Sequence, residues 1–318
     1  MSGPLPPLRR DLAPTDRVHA LFYAFVLTVA TLRVAALPEP WKPYLWYGGA
    51  LGATLLLARL LRGRRGLSGI LPRAIFTIAV APFSFLMLSF VVPYANPFHG
   101  ERLLYDVDNL LFLGANPNVL LDAIAWPPLT ELLTLVYSAY YGIPLVLLVV
   151  FLAQKRHDAV ARGTFLVLLC LYGSYLGYFV IPATGPNLNR AGLYPAHFAD
   201  PMPGVWFAER IRASLLEAEW IKHDCWPSGH TALSWTCLLV AKREGSHLAF
   251  RILLVPVVLL IFSTMYLRYH YVIDVICGYG LAWLVLRFGP RLYDRWVGTG
   301  GDAGAGAHGG SARTAEGP

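Results

Sequence analysis

Long apolar runs separated by short polar segments make up most of the chain between residues 18 and 288. A helix that crosses a bilayer needs about 20 predominantly apolar residues. Eight runs approach or exceed that length, so the pattern predicts an all-α, polytopic membrane protein with about eight transmembrane helices. The predicted spans are 18–37, 44–61, 71–93, 129–153, 163–182, 226–241, 248–267 and 271–288.

Two of the connecting segments are long. Segment 94–128 is too interrupted to span a bilayer and predicts short helices at the membrane interface. Segment 183–225 contains WFAERIRASLLEAEW, in which Phe207, Ile211 and Leu215 recur every four residues. This spacing predicts an amphipathic helix that lies on the membrane surface. Simple packing at the interface and a lid over a lipid site are both open interpretations.

Composition agrees with a membrane protein, since 56% of residues are hydrophobic and 14% are charged, against about 25% charged residues in soluble domains. The net charge of +7 would suit a nucleic-acid partner, but its distribution favours membrane orientation instead. Of the 26 Lys and Arg residues, 18 lie at the termini and in alternate loops, and eight lie in the remaining, longer loops. The positive-inside rule therefore predicts cytoplasmic termini and no nucleic-acid partner.

Three regions follow from this organisation. Residues 1–70 are predicted to form a cytoplasmic N-terminus and two transmembrane helices, and residues 71–289 six further transmembrane helices with external loops. Residues 290–318, rich in Gly and Ala, are predicted to be a disordered cytoplasmic tail. This organisation is compatible with a bacterial cell membrane.

The four cysteines are Cys170, Cys225, Cys237 and Cys277, and no two of them have Cys-x-x-Cys spacing. The sequence therefore predicts neither a disulfide framework nor a thiolate metal site. No cofactor is expected.

Ionisable residues next to membrane spans are candidates for function. In STMYLRYHYVIDVICGYG, His270 and Asp274 are four residues apart, which stacks both side chains on one face of a helix. A carboxylate beside an imidazole fixes its tautomer and leaves the other ring nitrogen free to attack phosphorus. The pair predicts a phosphohistidine intermediate, and the alternative is a polar contact between helices without chemistry.

A second unusual stretch is DCWPSGHTALSWT, which opens the sixth apolar run. Proline suits the first turn of a helix, so the helix is expected to begin near Ser228 and Gly229. Free backbone N–H groups and the positive end of the helix dipole would then bind a phosphate oxygen. His230 would donate a proton to the leaving alkoxide. The alternative is that His230 only caps the helix or packs.

Together, WPSGHT and YHYVIDV resemble the type 2 phosphatidic acid phosphatase superfamily, integral membrane enzymes with a six-helix core that process lipid phosphates without metal. Pro-Ser-Gly-His at 227–230 matches its second motif. Ser263, His270 and Asp274 match the third, with Thr264 at the arginine position. The first motif is absent, and PATGPNLNR is the nearest stretch. STMYLRYHYVID and DVDNLLFLGANP resemble the branch of fungal inositol phosphorylceramide synthase.

The resemblance implies that His270 is the nucleophile, Asp274 its orienting partner and His230 the general acid. It implies a lipid phosphotransferase or phosphatase whose donor is a phospholipid or lipid phosphate and whose acceptor is a lipid alcohol or water. Transfer of an inositol phosphate headgroup is the favoured version. Because the first motif is absent, Arg190 and Arg268 are predicted to bind phosphate, with Lys222 as a third candidate. A non-enzymatic lipid transporter or scaffold is the alternative of another class.

Overall fold

The computed structural model describes residues 12–200, 202–218 and 221–301, and all the regular elements in these ranges are helices. The all-α prediction is therefore confirmed. The α-helices are α1 Pro14–Leu32, α2 Trp41–Leu60, α3 Leu67–Met87, α4 Val92–Ala95, α5 Glu101–Leu111, α6 Pro117–Asp122, α7 Pro127–Ser138, α8 Gly142–Ala153, α9 His157–Val180, α10 Ala208–Ala218, α11 Gly229–Arg243, α12 His247–Tyr266 and α13 Val272–Gly301.

Among the described residues, five helical segments are long and apolar enough to cross a membrane, as expected of an integral membrane protein. They are Leu67–Ala95, Pro127–Ala153, His157–Val180, His247–Tyr266 and Val272–Gly298. The other three predicted spans correspond to α1, α2 and α11, so the number eight stays a prediction. Helices α1 and α2 have 19 and 20 residues, but neither is among the segments that are apolar enough. Helix α11 has 15 residues, or about 22 Å at 1.5 Å per residue, which is less than the hydrocarbon thickness of about 30 Å.

Helix α11 lies inside the bundle, where it contacts α8, α9, α12 and α13. Of its 15 residues, ten are buried, among them Thr231, Ser234 and Thr236. A helix that meets other helices on all sides does not need a lipid-facing apolar surface, which explains its polar start. Gly177 of α9 permits the close approach, because a Cβ there would lie 2.1 Å from Cδ of Pro227.

A buried polar cluster joins α1 to α3 and α9. The Nδ1 atom of His19 lies 2.8 Å from the hydroxyl of Tyr172 and 3.1 Å from that of Tyr23. Its Nε2 atom lies 3.0 Å from Oγ1 of Thr77. Both ring nitrogens thus have hydrogen-bond partners, as a buried imidazole requires. The cluster holds the N-terminal helices against the rest of the bundle.

The long connections contain short helices, as the sequence predicts. Segment 94–128 contributes α5 and α6, and segment 183–225 contributes α10, which packs on α7. Helix α13 continues to Gly301, beyond residue 290 where the tail was predicted to begin, so that boundary is corrected. Residues 302–318, the rest of the predicted tail, lie outside the described residues.

Candidate active site

His270 lies in the turn between α12 and α13. Two backbone N–H groups, those of Tyr269 and His270, donate to the carbonyl oxygen of Thr264 at 2.9 and 3.0 Å. Arg268 has a φ of 65°, the left-handed conformation that commonly ends a helix. Thr264, at the position of the family's arginine, therefore closes α12 and fixes the backbone of His270.

Asp274 lies in the first turn of α13 and contacts His270 across the turn. The Nδ1 atom of His270 is 3.4 Å from Oδ2 of Asp274, which also accepts the backbone N–H of Tyr271 at 3.0 Å. The sequence predicted both residues on one helix face. That detail is wrong, because α13 begins at Val272, but the contact forms since the turn folds His270 back onto the helix start.

Asp108 of α5 is a buried residue that sequence reasoning missed. Its two carboxylate oxygens accept the backbone N–H groups of Val272 and Ile273, each at 2.8 Å. A carboxylate at a helix N-terminus pairs donors that lack partners inside the helix. Burial raises the pKa of Asp108 to about 6, partly offset by these two hydrogen bonds. Asp108 therefore anchors the start of α13, and with it Asp274, to segment 94–128.

His230 lies in the first turn of α11 and faces His270. Its Nδ1 atom is 3.3 Å from Nε2 of His270. If Nδ1 of His270 carries the proton that Asp274 accepts, then Nε2 of His270 is an acceptor and His230 Nδ1 is the donor. The rings of Tyr137 and Tyr140 pack on His230 with centroid distances of 4.7 and 4.3 Å. The structure thus brings the three predicted residues together, with Nε2 of His270 facing His230 and Nδ1 facing Asp274.

Ser228 and Gly229 occupy the predicted helix start. Ser228 is the N-cap of α11, and its Oγ accepts the N–H of Thr231 at 3.2 Å. Gly229 packs under Tyr178 and Ser174, since a Cβ there would lie 2.8 Å from the Tyr178 hydroxyl. Both residues are buried and neither lines the pocket described below. They shape the helix start, and their use as a phosphate cradle stays a prediction.

The comparison with known families agrees with this geometry. The family model of the PAP2 superfamily matches residues 102–288, more than half of the chain. The chain belongs to the PAP2 superfamily. No curated protein and no solved structure matches the chain significantly. Membership supports phosphatase or phosphotransferase activity on lipid phosphates, and the match includes all three of His230, His270 and Asp274.

In this PAP2 protein the two histidines open into a pocket of about 200 Å³. His230, His270 and Tyr269 form one wall, and four residues of α10 form another. Charged side chains of both signs line the pocket. Its cations can pair with an anionic group of a ligand, and its carboxylates can accept hydrogen bonds from a polar group of the same ligand. The charged residues of the lining, other than histidine, are Asp200, Glu209, Arg212, Lys222 and Asp224.

Neither arginine predicted to bind phosphate lines the pocket of the PAP2 site. The guanidinium group of Arg268 pairs with Asp122, donates to the carbonyl of His197 at 3.0 Å and packs 4.2 Å from the centroid of Phe198. The left-handed turn thus directs the Arg268 side chain away from His270. The sequence spacing agrees, because residues two apart on a helix do not share a face. Arg190 is exposed and lies near His223. Burial lowers the pKa of the His223 imidazole, and the positive charge of Arg190 lowers it further.

Two other cations line the pocket. Arg212 of α10 is buried, with Nη1 donating to the carbonyl of Met202 at 3.1 Å and no hydrogen-bond partner for Nε among the described residues. Lys222 donates to the carbonyl of Leu216 at 2.7 Å, and it was the third candidate from the sequence. Sequence reasoning missed Arg212, although the amphipathic pattern of 206–220 contains it.

Helix α10 is held over the pocket by Glu131 of α7. The carboxylate of Glu131 accepts four consecutive backbone N–H groups, those of residues 205–208, at 2.8–3.2 Å. Charged acceptors pair well with the unsatisfied N–H groups at a helix start. The pocket lies beneath Glu209, Arg212 and Leu216 of this helix. Of the two interpretations of the amphipathic segment, this arrangement favours a lid.

We expect Glu131→Gln to loosen α10, because an amide offers one acceptor oxygen where the carboxylate offers two. Hydrogen bonds to charged groups contribute about 1.5–3 kcal/mol each, so limited proteolysis within 202–218 should become several-fold faster. The control is Glu217→Gln, an exposed carboxylate on the same helix. Equal cleavage rates in both variants would show that Glu131 does not hold the lid.

Asp224 is a half-buried carboxyl group of the pocket lining, one residue before Cys225. Burial raises its pKa to about 6, and the nearby His270 and Lys222 act in the opposite direction. Asp224 therefore stays protonated to higher pH than an exposed aspartate, and it becomes negative as the pH rises. Its charge state changes the potential that an incoming phosphate meets.

Proposed function

We propose that this protein is a lipid phosphotransferase that moves a phosphorylated headgroup from a phospholipid to a lipid alcohol through a phosphohistidine intermediate. The observation that carries the proposal is the contact of His270 with Asp274 on one side and His230 on the other, at the wall of a charged pocket. Hydrolysis is the same pathway with water as the acceptor.

The reaction needs two displacements at phosphorus. Nε2 of His270 attacks phosphorus, the bond from phosphorus to the lipid alkoxide breaks, and His230 gives its proton to that alkoxide. His230 then takes a proton from the acceptor hydroxyl, whose oxygen attacks phosphorus and releases His270. Asp274 stabilises the positive charge that develops on the imidazole. The 3.3 Å contact between the histidines must open as phosphate enters, which frees the His230 N–H for the leaving oxygen.

Positive charge for the phosphate oxygens is assigned to Arg212 and Lys222 in this proposal, instead of Arg190 and Arg268. A phosphoryl-transfer site depends on cations that stabilise the transition-state oxygens. Arg212 is buried at the pocket and its Nε has no hydrogen-bond partner in the described part of the chain, which favours it as the principal phosphate ligand. Arg268 already has the carboxylate of Asp122.

The acidic part of the lining supports a headgroup with hydroxyl groups. Asp200, Glu209 and Asp224 repel a bare phosphate, but carboxylates accept hydrogen bonds well from sugar-like hydroxyls. This charge pattern, with the resemblance to fungal inositol phosphorylceramide synthase, favours transfer of an inositol phosphate headgroup. The alternative in the same class is a phosphatase for lipid phosphate monoesters or pyrophosphates. We further infer an external site and cytoplasmic termini from the distribution of basic residues, and a bacterial cell membrane from the Gly- and Ala-rich tail.

The pH dependence of KM follows from Asp224. Because its carboxyl group ionises at about pH 6, KM for an anionic donor should rise several-fold as pH increases through 6. A phosphodiester donor isolates this effect, since its single charge is constant in this range. In Asp224→Asn the step should vanish, and in Asp200→Asn it should persist. A step that is unchanged in Asp224→Asn would assign it to another group.

The decisive experiment compares purified wild-type and His270→Ala protein in EDTA, with a fluorescent lipid phosphodiester or monoester as donor. Each assay is run with and without ceramide or diacylglycerol as acceptor. We expect acceptor-dependent transfer that the variant lacks. Release of phosphate without an acceptor would favour the phosphatase, and no turnover with any donor would favour a non-enzymatic lipid transporter or scaffold.

A further inference from the structure

The thiol of Cys225 lies inside the contact between His270 and Asp274. Its Sγ atom is 2.7 Å from Oδ2 of Asp274 and 3.5 Å from Nδ1 of His270. The thiol thus donates to the same carboxylate oxygen that orients the imidazole. Neither displacement at phosphorus uses a thiol, so the proposed reaction does not explain this position.

The three donor atoms match the ligands of a soft divalent metal. Zinc binds thiolate sulfur at about 2.3 Å and imidazole nitrogen or carboxylate oxygen at about 2.0 Å, usually as a tetrahedron, so its ligand atoms lie about 3.3–3.6 Å apart. The observed separations are 3.4 Å from Nδ1 to Oδ2 and 3.5 Å from Sγ to Nδ1. The 2.7 Å separation of Sγ and Oδ2 is a hydrogen bond that the metal would replace.

A second observation also indicates a ligand at this position. The side chain of Asp274 is fully buried, and its Oδ1 atom has no hydrogen-bond partner among the described residues. An unpaired carboxylate oxygen in such surroundings is costly, and a cation relieves that cost. Cys225 and His270 both line the pocket, so an ion can reach the cluster from solvent.

We propose that Cys225, His270 and Asp274 form an inhibitory binding site for a soft divalent cation of the zinc type. The fourth ligand is a water molecule from the pocket. On binding, the thiol of Cys225 loses its proton to solvent, and the proton on Nδ1 of His270 moves to Nε2 as the metal binds Nδ1. Nε2 then donates to Nδ1 of His230, whose own proton moves to its Nε2. No atom changes its oxidation state.

Inhibition follows from the tautomer. With the metal on Nδ1, Nε2 of His270 carries a hydrogen and has no lone pair to attack phosphorus. Asp274 also no longer orients the imidazole, because its oxygen is bound to the metal. The binding itself does not depend on the proposed activity, whereas the inhibition rests on it.

The test uses the purified, metal-stripped full chain in detergent and Co²⁺ as a spectroscopic probe. We expect one equivalent of bound Co²⁺ with a sulfur-to-cobalt charge-transfer band that Zn²⁺ displaces. Cys225→Ala should lose the band and weaken binding by about tenfold or more. Mutation of residues that only support the metal ligands already lowers affinity by about tenfold, so loss of a ligand should do at least as much. Asp274→Asn should weaken binding and keep the band. The matched control is Cys277→Ala, which removes a half-buried thiol of α13 and should bind as the wild type does.

A band that persists in Cys225→Ala, or a wild-type protein that binds no Co²⁺, would overturn the site. Each variant is first checked for wild-type thermal melting and elution in size-exclusion chromatography, so misfolding is recognised separately. Activity assays with added Zn²⁺ then test the inhibition. Since binding is read from the spectrum, an inactive protein with intact Co²⁺ binding would contradict the proposed function and leave the metal site supported.

Discussion

His270→Ala should abolish turnover and eliminate the covalent phosphoenzyme. The imidazole is the only nucleophile in the proposed mechanism, and it contacts the Asp274 carboxylate through Nδ1 and faces His230 through Nε2. Loss of a covalent nucleophile lowers kcat by about 10⁴-fold or more in well-studied enzymes. The change removes a side chain that is 5% exposed and takes the imidazole partner from the buried Asp274, so it should destabilise the fold by a few kcal/mol, and thermal melting must show that the variant is still folded.

The measurement is a rapid acid-free quench with a donor labelled in its headgroup, followed by gel separation and autoradiography. Phosphohistidine is lost in acid, so an acid-treated duplicate should lose the label. His223→Ala is the matched control, since His223 is half-buried close to the site but does not line the pocket. It should keep the label. Label that persists in His270→Ala would mean that another group attacks phosphorus.

The residues of the two histidine motifs were predictable because each motif fixes its own geometry locally. In Pro-Ser-Gly-His, Ser228 caps α11 within its own turn, and in the turn before α13 the Thr264 carbonyl and the Asp274 carboxylate accept the backbone N–H groups around His270. That the two motifs lie together in one site was implied by the family resemblance. The contribution of Asp108 was not predictable, because its two hydrogen bonds cross 164 and 165 positions of the chain.

Phosphate binding was the least predictable part of the site. Arg268 was selected for its closeness to His270 in sequence, but the left-handed turn and Asp122 direct it elsewhere. Arg212 reaches the pocket only because α10 folds over it and Glu131 of a distant helix fixes the start of α10. This arrangement depends on tertiary contacts, which the sequence around Arg212 does not predict.

The number of spans shows a similar limit. Each of the eight predicted spans coincides with a helix or a helical segment, but only five are long and apolar enough to cross a membrane among the described residues. A helix enclosed by others does not need apolar length, which accounts for the short α11. Its shortness serves the site, because the helix start lies inside the bundle. There His230 meets His270 under α10, with Tyr137 and Tyr140 against its ring.

His230→Ala should slow departure of the leaving group by about 10²–10⁴-fold, the usual contribution of general acid catalysis. The lipid alkoxide is a strong base and leaves poorly without a proton, so the loss should appear in kcat. The phosphoenzyme should still form, slowly, because His270 and Asp274 remain in contact. His230→Gln preserves part of the packing on Tyr137 and separates the loss of the proton from the loss of the ring.

A change of leaving group tests this role most directly. A nitrophenyl phosphodiester releases an anion that needs no proton, so its cleavage should fall far less in His230→Ala than cleavage of the lipid donor. His270→Ala should be inactive on both donors, because a better leaving group does not replace a nucleophile. If His230→Ala lost the same factor with both donors, His230 would act by holding His270 or the substrate in position, and the proton would have to come from another group in the pocket, of which Asp224 below pH 6 is the nearest in character.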